Sequence, residues 1–143
     1  MEGATQKHVP VVVVVDDDPV DLQYIEAGFA QMSLVRACAV LCPTIEEAIK
    51  AVQEKKPLFV LLDDRLGPSA LAEDSIARLR EAGYSSRIVV MSGSITGRRH
   101  DALRALGCFE VVEKDELGPD ALEMLVVTIY HVQRLNEQSL ARD

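Results

Sequence analysis

Five short apolar runs, each followed by a helical stripe, divide this chain, and four of them end in polar residues. That alternation is its most constraining feature. The first run, Val9 to Val15, is continuously β-branched but for Pro10 and stops at Asp16-Asp17-Asp18. A run without polar alternation predicts a strand buried on both faces, as in a parallel sheet. Asp18 before Pro19 predicts a helix N-cap, with proline at the first helical position. Leu22, Ile25, Phe29 and Met32 then recur at helical spacing.

The pattern repeats. Leu34 to Leu41 predicts a second strand. Thr44 with Glu47 predicts a capping box ahead of a helix that buries Ile45, Ala48, Ile49 and Val52. Leu58 to Leu62 predicts a third strand, ending at Asp63-Asp64. Gly67-Pro68 signals a turn, and Ile76, Leu79 and Ala82 mark a helix closed by Gly83. Ile88 to Met91 predicts a fourth strand, ending at Ser92-Gly93-Ser94, with a weaker helix from Thr96 to Leu106. Phe109 to Val112 predicts a fifth, ending at Glu113-Lys114-Asp115. The last helix carries Leu122, Leu125, Ile129 and Val132, and is expected to end near Asn136.

Five strands, each followed by a helix, predict an α/β fold, a doubly wound parallel sheet. Right-handed crossovers leave few strand orders, and 2-1-3-4-5 is one of the two common ones. At 143 residues the chain is one domain's worth of sequence, expected over residues 9–138 between short tails, 1–8 and 139–143, with no effector domain. Its 23 acids against 15 bases leave a net charge of -8, which disfavours nucleic acid. No apolar run approaches a bilayer span and no signal peptide opens the chain, so a cytoplasmic protein away from membranes is expected. Cys38, Cys42 and Cys108 then read as free thiols, small and buried.

In such sheets ligands bind past the C-terminal strand ends, where strands one and three part. Asp16 and Asp17 leave strand one there, and Asp63 leaves strand three. Carboxylates gathered in one pocket repel unless a cation offsets them, and Mg2+ suits carboxylates plus a phosphate oxygen. Strand four adds the Ser92 hydroxyl and strand five the Lys114 ammonium. That set suits phosphoryl transfer, with a carboxylate as the nucleophile. Asp64 reads as a solvated loop acid and Asp18 as a cap. Arg98, Arg99 and His100 read as a solvated basic face or a partner contact, and His8 and His131 as incidental.

Val-Val-Val-Asp-Asp-Asp-Pro, Val-Leu-Leu-Asp, Val-Val-Met-Ser-Gly and Val-Val-Glu-Lys, in that order, resemble the receiver domain of two-component response regulators. The resemblance implies a flavodoxin-like receiver fold. It makes Asp63 the phosphoacceptor, and Asp16, Asp17, Asp63 and the backbone carbonyl of Arg65 the Mg2+ ligands. Ser92, Gly93 and Lys114 would meet the phosphoryl group. The implied function is a single-domain response regulator, not an enzyme acting on other substrates. A sensor histidine kinase or histidine phosphotransfer protein would phosphorylate it, and it would signal to a further protein by contact. Homodimerisation would use the face of helix four, strand five and helix five. Three departures stand out. The loop after Asp63 lacks the usual Asp-Gly, Val111 stands where an aromatic is usual, and Asp115 follows the lysine in place of proline. They motivate a phosphorylation-independent pseudo-receiver as the alternative reading. A phosphohydrolase of the haloacid-dehalogenase type is a further one, on the Asp-x-Asp of Asp16 to Asp18.

Overall fold

In the computed structural model, residues 9–68, 70–93 and 97–142 are described. His8, Ser94 and Thr96, named above, lie outside them. The elements in chain order are β1 (Val11–Val15), α1 (Pro19–Ala30), β2 (Cys38–Cys42), α2 (Ile45–Lys55) and β3 (Phe59–Asp63). There follow α3 (Ala72–Glu81), β4 (Arg87–Ser92), α4 (Gly97–Ala105), β5 (Glu110–Glu113), a 3-10 turn (Lys114–Glu116) and α5 (Pro119–Arg142). The strands pair in parallel in the order β2-β1-β3-β4-β5, as the alternation predicts.

The uninterrupted apolar runs are explained by the two sides of this sheet. Val13, Val15, Val60, Leu62, Ile88 and Val90 face one way, onto Ala48, Val52, Ile76, Leu79 and Leu103 of α2, α3 and α4. Val12, Val14, Phe59, Leu61, Val89 and Met91 face the other, onto Leu22, Ile25, Phe29, Leu122, Val126 and Ile129 of α1 and α5. A strand covered by helices on both sides has no wet face, so no polar alternation survives in its sequence.

The start and stop signals act as read. Asp18 caps α1, its Oδ1 accepting from the Val20 N–H at 2.9 Å. Thr44 Oγ1 accepts from the Glu47 N–H at 3.1 Å and its hydroxyl donates to Glu47 Oε2. Gly83, at φ +99, ends α3 in a conformation that a side chain would strain.

Two boundaries and one burial differ from the sequence reading. β2 begins at Cys38, and Leu34 is 84% exposed. The carboxylate of Glu123 on α5 holds the segment before it, accepting from the Leu34 and Val35 N–H groups at 2.5 and 2.8 Å. The backbone there pairs with a side chain, so it is not free to extend the ladder. α5 continues past Asn136 to Arg142, and Leu135 is half-exposed beyond the packed stripe. Of the cysteines, Cys42 and Cys108 are buried but Cys38, on the edge strand, is exposed; all are free thiols.

Among the described residues no helix is long and apolar enough to cross a membrane.

Candidate functional site

Register brings the acids together. Val15 on β1 pairs with Leu62 on β3, so Asp16 and Asp63 leave neighbouring strands at the same level. Both are buried, Asp16 completely and Asp63 at 7% exposure. Asp17, the next residue along, is exposed. One oxygen from each of Asp16, Asp17 and Asp63 lies within 4.8 Å of the others. This all-oxygen set, with its repulsive charges, fits a hard divalent cation such as Mg2+.

Lys114 enters from the end of β5. Its ammonium stands 2.8 Å from Asp16 Oδ2, 2.7 Å from Asp21 Oδ2 and 3.2 Å from Asp63 Oδ1. Asp21, in the first turn of α1, was not among the residues singled out from sequence. One helical turn past the acidic triplet, it reads as an ordinary N-terminal helix acid.

The environment sets the charge states. Burial, and then the Asp16 charge, push the Asp63 carboxyl up to about 7, against the partial relief that Lys114 and the Arg65 N–H provide. A carboxyl raised this far in a strand-end pocket is a candidate functional position. Burial alone would lower the Lys114 pKa, but close pairing with Asp16 and Asp21 and the charge of Asp63 raise it overall. Lys114 therefore stays cationic and supplies the pocket's fixed positive charge.

A second cluster adjoins the first. Asp64 is only part-exposed and pairs with Arg99 of α4, which also pairs with Glu73 in the first turn of α3. The Ser92 hydroxyl donates to Asp64 Oδ2 at 3.4 Å, and Ser92 itself is 5% exposed. Glu73 and Asp64 raise the Arg99 pKa further, and Arg99 holds Glu73 below the usual carboxylate range. Two sequence readings are corrected here. Asp64 is not a solvated loop acid, and Arg99 is not part of a solvated basic face. Each is satisfied by the other, a pairing between residues 35 apart in sequence. Arg98 is exposed, as read, and His100 partly so.

The loop after Asp63 folds back on itself. Leu66 N–H donates to the Ala70 carbonyl and Ala72 N–H to the Asp64 carbonyl, each at 2.8 Å. Gly67, at φ +89, makes the reversal. Arg65 and Gly93 are exposed, and Val111 is buried in the sheet opposite Val90.

No protein-family model matches the chain, and no curated protein matches its sequence. Solved structures do. A signal receiver domain from Vibrio parahaemolyticus superposes with a TM-score of 0.78 at 17% identity, over 92% of this chain and 98% of that one. A response-regulator receiver domain from Francisella gives 0.73 at 18% identity, over 87% and 98%. The BeF3-activated N-terminal receiver domain of Klebsiella pneumoniae RstA gives 0.69 at 22%, over 83% and 97%. At such identities shared sequence contributes little, and the common ground is the path of the backbone. Over nearly its whole length, this chain has the fold of response-regulator receiver domains.

Proposed function

We propose that the protein is a phosphoacceptor signalling protein, a cytoplasmic response regulator, and not an enzyme acting on other substrates. The observation that carries this is the convergence of Asp16, Asp17 and Asp63 within 4.8 Å, with Lys114 against the two buried ones. An Asp63 oxygen attacks the phosphorus of a phosphohistidine on a sensor kinase or phosphotransfer protein. The phosphorus–nitrogen bond breaks, the histidine nitrogen keeps the electron pair, and an acyl phosphate forms on Asp63. Asp16, Asp17, Asp63 and the Arg65 carbonyl would hold Mg2+, which when bound would supply charge stabilisation to the phosphoryl oxygens. Lys114 offsets the charge on Asp63 and its phosphoryl group. Ser92 turns its hydroxyl to a phosphoryl oxygen, and Gly93 leaves room beside it. Water later releases the phosphate. The signal passes by contact with a further protein, or with a second copy through α4, β5 and α5; neither nucleic acid nor membrane is a partner.

The test is incubation with Mg2+ and acetyl phosphate, followed by intact mass. One added phosphate on the wild type and none on Asp63→Ala is expected. An unmodified wild type, or undiminished uptake by Asp63→Ala, rejects the proposal.

A phosphorylation-independent adaptor is the second reading. The Ser92–Asp64 contact favours it, because that hydroxyl already has an acceptor at rest. Full signalling by Asp63→Asn in cells would select this reading over the first.

A further inference from the structure

Helix α4 is weakly held. Leu103 is its one buried residue among those described. Its Arg104–Glu110 pair, at 2.7 Å, joins two half-exposed side chains and contributes little. Among the described residues, Arg99 attaches its first turn to the pocket by bridging Asp64 and Glu73. Asp64 Oδ2 accepts from both Arg99 Nε and Ser92 Oγ, each at 3.4 Å. One carboxylate oxygen is therefore shared between the hydroxyl at the end of β4 and the guanidinium of α4.

We propose that Arg99 is the positioning residue through which the state of the Ser92 hydroxyl reaches α4. This rests on the phosphoacceptor reading above. A phosphoryl group on Asp63 draws the Ser92 hydroxyl to itself, and Asp64 Oδ2 loses that donor. Asp64 then resettles against the arginine alone. A guanidinium engaged with two carboxylates is a planar, stiff connector, so the first turn of α4 moves with it. Weak packing elsewhere lets a small displacement shift the whole helix. Val111 is buried in the sheet, so this connection does not use a side-chain rotation at that position. The coupling is reciprocal: whatever fixes α4 in its displaced position favours the phosphorylated pocket by the same factor.

The probe is beryllofluoride with Mg2+. Fluorine NMR reads occupancy of the pocket, and backbone amide shifts of Gly97–Ala105 read α4. In the wild type, occupancy shifts the α4 amides. In Arg99→Gln the bound fluorine resonance persists, while the α4 shifts at equal occupancy fall by about twofold or more. Arg99→Lys, which cannot span both carboxylates as a planar fork, restores them only in part. Glu73→Gln, at a half-exposed side chain, weakens the same bridge without touching Ser92 and reduces the shifts in the same direction. Undiminished α4 shifts in Arg99→Gln or in Glu73→Gln overturn the coupling alone. Absence of any bound fluorine resonance in the wild type removes the phosphoacceptor reading, and the coupling with it.

Discussion

The ammonium of Lys114 lies closer to Asp21, at 2.7 Å, than to Asp63, at 3.2 Å. The lysine is thus steered from the side by a helix residue as well as drawn down by the pocket acids. Lys114→Met leaves Asp16 and Asp63 facing each other without a cation. The Asp63 pKa should climb above its resting value of about 7. Asp21→Asn should move it far less, since Lys114 keeps its two buried partners. Carbon NMR of the Asp63 carboxyl follows both; equal shifts in the two variants would contradict this division of roles.

Asp63 also makes stability depend on pH. Its folded pKa of about 7 lies above the ordinary 3.8. Between those values the native state holds a proton that the unfolded chain has lost. This group's contribution therefore falls as pH rises through the window and is flat above it. Asp63→Asn removes the buried charge. Without Mg2+ it should be more stable than the wild type by about 1–3 kcal/mol at about pH 8, the difference shrinking towards about pH 5. Thermal melts across pH check this, and a gain that is larger in acid would have the wrong sign.

Mg2+ should reverse that penalty. If the site binds the ion only when folded, Tm rises with Mg2+, and the unfolding free energy gains about 1.4 kcal/mol when the ion is in tenfold excess over its Kd. Asp17→Asn should lose most of this increment at little cost to the fold, because Asp17 is exposed. A chelator should return the wild type to its metal-free Tm. Identical Mg2+ responses in wild type and variant would exclude Asp17 from the site.

Away from the site, Gly28 of α1 lies closely against α5. A Cβ on Gly28 would stand 2.7 Å from Leu122 Cδ1, and Leu122 is fully buried. Gly28→Ala should cost about 1–3 kcal/mol through overpacking. Leu122→Ala in the same chain should recover part of that, making the pair less than additive. Denaturant unfolding of the two single variants and the double variant tests it; strict additivity would mean that the helices separate freely.

The strand-end placement of Asp16, Asp17, Asp63, Ser92 and Lys114 was legible because each lies just past an apolar run, and strand ends in a parallel sheet converge by geometry. The capping residues were legible because Asp18 and Thr44 act on backbone within three residues of themselves. The start of β2 was not. Leu34 and Val35 have strand-like side chains, but Glu123, more than eighty residues away, takes their N–H groups. Nor were the roles of Asp21, Asp64, Glu73 and Arg99 visible. Each looks like an ordinary charged residue of a helix turn or loop.

The sequence by itself determined the element order, the two-sided core and the acids at the strand ends, because periodicity and capping act over a few residues. Only the tertiary structure decided which charges meet. Arg99 and Asp64 lie on segments that the chain alone does not align, and Lys114 reaches Asp21 across 93 residues. Ion pairs of that kind depend on where the sheet register and helix packing place whole elements, and no local pattern in a single chain carries that information.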